Sequence, residues 1–325
     1  MKAVICSEYG DPAGLALETI EAKPLKDSEV RIEVHACGIN FPDVLMVQGK
    51  HQLTPKLPFC PGGEVAGIVR EVAPDVTAVA PGERVMAVTF WGGLAEQVNA
   101  PLSSVVVIPD EMDFATAAVF QGGNAVAYYA LKRRGALQAG ENLLVLGAAG
   151  GVGTAAVQVG KAMGARVIAL VSSPEKAAAA LRNGADDAVN YTTEDVRGRL
   201  KALTNGRGVD VIFDPVGGAP FDDACRSVNI NARILIIGFA SGKIPQYPVN
   251  LALLRSCSLI GVNHHHFFVT EPRQAEQDMS ELLQMYRDKK ISPVIDRIYP
   301  MELVGQALTQ VAEARVIGKV VVSIC

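Results

Sequence analysis

Hydrophobic and polar residues alternate along the first third of the chain, which is the pattern of half-buried β-strands. In residues 29–36, Val30, Ile32 and Val34 share one face, and polar or charged residues occupy the other. Further short apolar runs follow, separated by Pro-Gly, Gly-Gly and Pro-Asp turn signals, at 65–72, 84–88, 94–98 and 105–108. This part of the chain is expected to form a β-rich domain, a partly closed barrel.

The pattern changes after Pro109. Asp113 is expected to cap a helix that ends near residue 120, Gly122 and Gly123 to interrupt it, and a second helix to reach 134. Strands and helices then alternate, which predicts a parallel α/β sheet, with strands at 142–146, 166–171, 188–190, 209–214, 233–237 and 258–262.

The last sixty residues return to mixed structure. A helix is expected at 272–290 and a final strand at 316–324, which packs back onto the first domain. The predicted division is a β-rich domain of residues 1–120 and 266–325, and a doubly wound parallel α/β domain of residues 121–265.

A glycine-rich turn joins the buried strand at 142–146 to a helix. Such a turn lets the backbone approach a pyrophosphate, and the helix N-terminus presents free N–H groups and partial positive charge to it. Because a second strand follows the helix, the context is that of a dinucleotide site. The expected cofactor contacts here are Ala149, Gly150, Gly151, Val152 and Gly153.

The end of the second strand indicates which dinucleotide binds. A site for NAD would place Asp or Glu there to hold the ribose 2′-hydroxyl. This chain has Ser172 and Ser173 instead, and Lys176, one turn into the next helix, and Tyr191 could reach a 2′-phosphate. Glu175 is an acidic residue in this segment and is the one residue that favours NAD, although its position also suits the start of a helix. NADPH is therefore expected rather than NADH.

The chain resembles the medium-chain dehydrogenase/reductase superfamily, and within it the zinc-free quinone oxidoreductases similar to zeta-crystallin. The resemblance covers essentially the whole chain and rests on motifs at 37–43 (CGINFPD), 61–69 (PGGEVAGIV), 92–96 (GGLAE), 148–153 (AAGGVG), 214–218 (DPVGG) and 238–242 (GFASG). It implies a Rossmann domain joined to a GroES-like catalytic domain.

The resemblance also bears on metal chemistry. Where zinc dehydrogenases of this superfamily carry a Cys ligand, a hydroxyl residue and a His ligand, this chain has Asn40, Pro42 and Gly63. Zinc needs three or four ligands, mostly Cys and His, so no metal is expected. Without one, the expected chemistry is hydride transfer to an acceptor that already attracts electrons, such as a quinone or an enone.

The resemblance implies further site residues. Asn40 and Asp43 would line the cleft beside the nicotinamide, with Asn40 donating to a developing oxyanion. Asp43 would orient its neighbours, or be only a charge at a helix start, and the two roles are equally compatible with the sequence. Additional cofactor contacts are implied at Gly217, Phe239, Ala240, Val262, Asn263 and Arg315. Arg315 could equally be an exposed surface residue.

Two departures from the family affect the substrate. Relatives tend to have Tyr at His51 and Thr at Val126; His51 could deliver a proton or be a mobile surface residue. The leading hypothesis is an NADPH-dependent quinone reductase. The second is a reductase of an activated C=C bond in an enone, a 2-haloacrylate or an enoyl thioester. The third is an NADPH-binding structural or nucleic-acid-binding protein.

Composition limits the partners and the compartment. The net charge is −4 and no basic run exceeds three residues, so nucleic acid is not favoured. Six scattered cysteines without Cys-x-x-Cys spacing, and no signal peptide, suggest a reducing cytoplasm, and no membrane span is expected. The apolar strand 258–262 is expected to pair with its two-fold mate in a homodimer. Three histidines, 264–266, would point to alternate faces of a strand and are not expected to share a metal.

Overall fold

The computed structural model describes residues 1–324, which form two compact units. The first unit comprises Met1–Gly122 and the segment from Pro293 onward, and the second comprises Gly123–Ser292. Residues 266–292, which the sequence had placed with the catalytic domain, therefore lie in the second unit. The reason is an ion-pair network: Arg133 donates to both carboxylate oxygens of Asp278, at 3.0 and 2.6 Å, and the Lys132 Nζ lies 2.6 Å from Glu281.

The first unit is built on antiparallel strands, numbered here in chain order through the whole molecule. A two-stranded ribbon, β1 (Lys2–Ile5) and β2 (Ala16–Thr19), accompanies a seven-stranded sheet. The sheet contains β3 (Glu29–Ile39), β4 (Glu64–Val72), β5 (Arg84–Val88), β6 (Gln97–Pro101), β7 (Val105–Val107), β14 (Ile295–Pro300) and β15 (Lys319–Ser323). The strand order is β14-β15-β3-β4-β5-β7, with β6 paired to β3.

The final strand joins the centre of this sheet. β15 pairs antiparallel with β3, with Val320 opposite Ile39 and Val322 opposite Cys37. The apolar residues of β15 are buried on both faces of the strand, and Ile39, Val320 and Val322 are buried almost completely. The prediction that the C-terminal segment packs onto the first domain is confirmed. Helices α1 (Phe41–Val47), α2 (Phe114–Ala117) and α11 (Val304–Ala312) pack around the sheet.

The second unit is a parallel sheet with a helix between most of its strands. Its strands are β8 (Asn142–Leu146), β9 (Arg166–Val171), β10 (Asp187–Asn190), β11 (Val209–Asp214), β12 (Val228–Ile236) and β13 (Ser258–Gly261). All are parallel, in the order β10-β9-β8-β11-β12-β13. This is the doubly wound topology, which places a switch point beside β8. The predicted fold class is confirmed.

The helices of the second unit cover the sheet and form its remaining layers. They are α4 (Gly151–Ala162), α5 (Pro174–Arg182), α6 (Val196–Leu203), α7 (Ala219–Cys225), α8 (Val249–Arg255), α9 (His264–Thr270) and α10 (Pro272–Arg287). Helix α3 (Phe120–Tyr128) crosses from the first unit to the second and continues as a π-helical turn, Tyr129–Arg134.

Two local predictions were wrong. Gly122 and Gly123 do not interrupt a helix, since α3 runs through both; packing outweighs their low helix propensity. Residues 264–266 are not on a strand but open α9, because the Asn263 side chain accepts the N–H of His266 at 3.0 Å and caps the helix. Within residues 1–324, no helix is long and apolar enough to cross a membrane.

Candidate functional site

The glycine-rich turn after β8 has the shape that a dinucleotide site requires. Gly147 adopts a left-handed φ of +60°, and α4 begins four residues later at Gly151. A Cβ at Gly153 would lie only 2.1 Å from the Gly147 carbonyl oxygen, so only glycine lets the helix start so close to the strand end. By contrast, a Cβ at Gly150 would meet nothing nearer than 3.5 Å. The turn therefore presents bare backbone and a helix N-terminus at one edge of the sheet.

The end of β9 brings three of the predicted residues together. The Ser173 hydroxyl caps α5 by accepting the Lys176 N–H at 3.3 Å, and the Lys176 Nζ donates to the Ser172 hydroxyl at 3.2 Å. Partial burial lowers the pKa of Lys176. Burial disfavours the charged ammonium form because it removes water from it. A phosphate at this position would stabilise the charged form.

The other predicted contacts of the second unit lie at the ends of neighbouring strands. Parallel strands end at the same edge of a sheet, so residues that follow β10, β11, β12 and β13 share that edge with the glycine turn; these are Tyr191, Gly217, Phe239, Ala240, Val262 and Asn263. The loops after β11 and β12 contact each other, with Ala240 N–H donating to Pro215 O at 3.0 Å. Asn263, however, uses its side chain as the cap of α9.

Arg315 differs from the other predicted cofactor residues. It lies in the first unit, its side chain is 70% exposed, and it pairs with Glu313 at 3.2 Å. It also lines a cavity of about 450 Å³, together with Pro12 of the 3-10 turn Pro12–Gly14 and with Gln306 and Gln310 of α11. The structure gives Arg315 the surface position that the sequence left open.

Asn40 and Asp43 lie where strand β3 of the first unit passes into helix α1. Asn40 is the N-cap of α1, and the buried Asp43 carboxylate accepts the Asn40 backbone N–H at 2.7 Å. The Asn40 side chain instead contacts two other residues. Its Nδ2 donates to Glu64 Oε2 at 3.1 Å, and its Oδ1 accepts a hydrogen bond from Lys319 Nζ. Both of these partners are buried.

Glu64 and Lys319 complete this polar cluster and were not among the predicted site residues. Glu64 Oε1 accepts the Gly122 N–H at 2.7 Å, and its Oε2 lies 3.8 Å from the Lys319 Nζ. A signal for Lys319 was present in the sequence, because it is the only charged residue in the apolar run 316–322. A buried charge of this kind needs a partner, but its partners are distant in sequence and only the fold identifies them.

The electrostatics of the cluster affect Asp43 most. Burial raises the pKa of the Asp43 carboxyl to about 7; the Asn40 N–H bond opposes that rise, the Glu64 carboxylate adds to it, and the Lys319 ammonium opposes it. Asp43 therefore binds or releases a proton near neutral pH. Its position at the third residue of α1 also makes it a capping carboxylate, which holds the Asn40 N–H at the helix start.

Asp43→Asn is expected to remove a pH dependence of stability. The pKa of this carboxyl is about 7 in the folded state, against an ordinary value of 3.8. Between pH 3.8 and about 7 the folded wild type therefore binds more protons than the unfolded state. The free energy of unfolding should therefore fall by up to about 1.4 kcal/mol per pH unit as pH rises through that window. Urea unfolding at pH 5, 6, 7 and 8 measures this, and the variant should show a shallower slope. An unchanged slope would contradict the raised pKa.

Two tyrosines of the second unit, Tyr128 and Tyr129, carry hydroxyls that could donate a proton, but both side chains are engaged in other contacts. Tyr128 is 3% exposed; its hydroxyl bonds Glu281 and accepts the Lys132 Nζ at 2.9 Å. Burial and the Glu281 carboxylate raise the pKa of Tyr128 to about 12, against the effect of Lys132. Tyr129 stacks on Phe267 with ring centroids 4.2 Å apart. His51 is half-buried, and its Nδ1 accepts the Leu53 N–H at 3.1 Å.

The positions corresponding to zinc ligands do not fit a metal. A Cβ at Gly63 would lie 2.9 Å from the Phe90 carbonyl oxygen, so a histidine there would require the neighbouring loop to move. The Asn40 amide is held by Glu64 and Lys319. Among residues 1–324, no group of three or more His, Cys, Asp or Glu side chains is arranged to hold a metal ion. No step of the chemistry is therefore assigned to zinc.

Comparison with protein families gives two separate matches. Residues 26–110 match the alcohol dehydrogenase GroES-like domain, and residues 151–286 match the zinc-binding dehydrogenase domain. The second description names zinc, but that match lies in the parallel-sheet unit and includes neither Asn40 nor Gly63.

Individual proteins are similar over nearly the full length. The quinone oxidoreductase-like protein 2 homolog of Nematostella vectensis is 35% identical over 99% of this chain and 88% of its own. The structure of the Escherichia coli quinone oxidoreductase complexed with NADPH is 25% identical, covers 100% of both chains and superposes with a TM-score of 0.91. The CurK enoyl reductase is 28% identical, with a TM-score of 0.90 over 100% of this chain and 99% of its own. The chain belongs to the quinone oxidoreductase family of the medium-chain dehydrogenases/reductases.

Proposed function

We propose that the protein is a zinc-independent oxidoreductase that transfers a hydride from NADPH to a quinone. The observation that carries the proposal is the half-exposed Asn40 amide, held by a buried ion pair at a position where the family's metal enzymes have a ligand. The reaction consumes one quinone, one NADPH and one proton, and yields the hydroquinone and NADP⁺. Bound NADPH supplies the hydride, that is, both electrons.

The protein's own contribution is to orient the acceptor and stabilise its developing negative charge. A quinone carbonyl oxygen gains charge as the hydride arrives, and a fixed N–H donor lowers the barrier by stabilising that charge. The Asn40 Nδ2 is such a donor, because only one of its two hydrogens is needed by Glu64. Asp43, with a pKa of about 7, is a buried group close to this site that can hold a proton at neutral pH.

The cofactor assignment is supported by the residues at the end of β9. A carboxylate that would bind a ribose 2′-hydroxyl is missing at 172 and 173, and Lys176 lies over the Ser172 hydroxyl. The family relative from Escherichia coli was crystallised with NADPH. We assign the glycine turn, Ser172, Ser173, Lys176 and Tyr191 to the adenosine and phosphate parts of NADPH.

Lys176→Glu is expected to reverse the cofactor preference. It replaces a cation beside the 2′-phosphate with an anion, so the Kd for NADPH should rise about 10-fold to 100-fold while that for NADH changes little. Fluorescence titration with each nucleotide measures both constants. Lys201→Glu, at an exposed position of α6, is the control for the change in net charge. Equal weakening of NADPH and NADH would contradict the assignment.

A second candidate is the reduction of an activated C=C bond in an enone, a 2-haloacrylate or an enoyl thioester. The similarity to an enoyl reductase favours it. Such a reaction also needs a proton at the α-carbon, and Tyr128 and Tyr129 are buried or stacked in the second unit. This is why we place it second.

Steady-state assays separate the candidates. NADPH and NADH are each tested with 1,4-benzoquinone, 1,4-naphthoquinone, an enone and crotonyl thioester. Quinone reduction with NADPH as the better donor supports the proposal, and preferential enone or thioester reduction supports the alternative. Tight NADPH binding without reduction of any acceptor would overturn both and favour a non-enzymatic, structural or nucleic-acid-binding role.

We also propose that the protein is a homodimer through residues 258–262. Among residues 1–324, β13 is the last strand of its sheet and pairs with β12 alone, so its outer edge offers backbone groups for pairing with another strand. Leu259 on this strand is 43% exposed, and the nearby helix α8 exposes Val249, Leu253 and Leu254 at 79%, 82% and 67%. A second copy of the chain would cover both the edge and this apolar face.

Leu259→Arg is expected to weaken the dimer at least tenfold. The substitution places two like charges across the two-fold axis of the proposed interface. Sedimentation equilibrium between about 0.1 and 50 μM measures the dissociation constant. Leu181→Arg is the matched control, because Leu181 is 46% exposed on α5 in the same unit. A wild-type protein that is monomeric throughout this range would overturn the proposal.

A further inference from the structure

The Asn40 side chain has hydrogen-bond partners that can bind it in only one orientation. A lysine ammonium is a donor only, and an ionised carboxylate is an acceptor only. The Lys319 Nζ must therefore face the amide oxygen, and Glu64 Oε2, at 3.1 Å, must face the amide nitrogen. The reversed amide would place N–H against ammonium and C=O against carboxylate, which is repulsive at both ends.

The two partners are themselves firmly held. The side chains of Lys319 and Glu64 are 7% and 3% exposed and lie 3.8 Å apart. Glu64 also accepts the Gly122 N–H at 2.7 Å, and Lys319 is anchored in β15 at the centre of the sheet. Asn40 is fixed as the N-cap of α1, and its backbone N–H is held by Asp43. Neither the backbone nor the side-chain amide is free to rotate.

This arrangement determines what a ligand meets. The amide oxygen is occupied by an ammonium group, and one amide hydrogen is occupied by a carboxylate. The group that remains is a single N–H donor. Its donor strength is increased because the ammonium withdraws electron density from the amide oxygen, and hydrogen bonds in series strengthen each other.

We propose that Lys319 and Glu64 are positioning residues that lock Asn40 as a one-way hydrogen-bond donor to the substrate. The inference rests on the proposed function, and it narrows the substrate class. A locked donor favours an acceptor oxygen that gains negative charge, such as a quinone or enone carbonyl. It gives no acceptor to an alcohol hydroxyl, so reduction is favoured over alcohol oxidation at this site.

A double-mutant cycle tests whether Lys319 acts through Asn40. Lys319→Met should lower kcat for the quinone about 30-fold and leave KM within about twofold. The reason is that the hydrogen bond from Asn40 stabilises the transition state more than the bound quinone. In an Asn40→Ala background the same substitution should cost less than about twofold. Lys319→Arg, which keeps a cationic donor, should recover most of the lost kcat.

A second variant separates a loss of kcat from a loss of stability. Lys319→Met leaves Glu64 buried without its cation, which is destabilising. The combination of Lys319→Met with Glu64→Gln removes both charges and should fold, yet it should show the same low kcat. Tm and the Kd for NADPH are measured for every variant. If the combined variant keeps wild-type kcat, or if the effects of Asn40→Ala and Lys319→Met multiply, the inference is overturned.

A measurement independent of catalysis observes the amide directly. In protein labelled with ¹⁵N-asparagine, the Asn40 side-chain signals are identified by their loss in Asn40→Ala. They should shift in Lys319→Met and stay in place in Lys201→Met, a substitution at an exposed site. Unchanged Asn40 signals in Lys319→Met overturn the lock. If the Asn40 signals shift in Lys319→Met but the wild-type protein reduces neither quinone nor enone, the lock is supported and the proposed function is refuted.

Discussion

Gly153→Ala is expected to abolish NADPH binding and to destabilise the second unit by about 3 kcal/mol. The added methyl would lie 2.1 Å from the Gly147 carbonyl oxygen, which belongs to the same turn and cannot move without distorting it. Helix α4 would have to shift away from the end of β8, and its N–H groups would no longer point at the pyrophosphate. Isothermal titration with NADPH and thermal unfolding measure the two effects.

Gly150→Ala is the matched control for this prediction. Its methyl would be 3.5 Å from the same carbonyl oxygen, an ordinary contact, and the φ of Gly150 is −81°, which alanine adopts easily. The Tm should therefore remain that of the wild type. Any loss of NADPH affinity in this variant then reports only how closely the cofactor approaches the backbone. A Gly153→Ala protein with wild-type Tm and Kd would show that the turn is more adaptable than its geometry indicates.

Asn40→Asp is expected to lower kcat for the quinone between about 100-fold and 1,000-fold, the range seen when an oxyanion donor is removed. The carboxylate has the same shape as the amide but cannot donate a hydrogen bond when ionised. It would also lie beside Glu64, whose Oε2 is 3.1 Å from the present Nδ2, and repel it. Because the glycine turn, Ser172, Ser173 and Lys176, which we assign to the phosphates and adenosine, are unchanged, the Kd for NADPH should change by less than about threefold.

Single-turnover kinetics and NADPH titration separate these two effects. Asn250→Asp, at the exposed start of α8 in the second unit, introduces the same charge at a residue that has no assigned role and should keep wild-type kcat. If Asn40→Asp retained more than about a third of the wild-type kcat, Asn40 would not be the oxyanion donor. The quinone would then be stabilised by another group.

The parts of the fold that depend on local pattern could be predicted from the sequence. β8, β9 and β11 match the predicted strands residue for residue, since buried parallel strands are continuous apolar runs bounded by turns. The helix through Gly122 and Gly123 and the helix at 264–270 were not predicted, because packing and a side-chain cap decided them. Residues 266–292 were assigned to the wrong unit, because the ion pairs of Asp278 and Glu281 with α3's continuation join residues about 150 positions apart.

The candidate site shows the same division. Gly147, Gly150 and Gly153 lie within one turn, so their spacing alone predicted a close approach of strand end and helix start. Asn40 was named as a candidate, but its contacts were not predicted, because Glu64 and Lys319 lie 24 and 279 positions away. No periodicity within a window of ten or twenty residues carries that information. A lone lysine in an apolar strand shows only that a partner exists.

The position of β15 has a consequence for how the protein matures. Lys319 follows Asn40 by 279 positions, and it reaches Asn40 only after β15 has inserted between β3 and β14. During synthesis, the first 122 residues leave the ribosome long before this strand exists. Until β15 pairs with β3, the Asn40 amide lacks the lysine that holds its oxygen. Formation of the Asn40 cluster is thereby linked to a strand pairing between residues 279 positions apart.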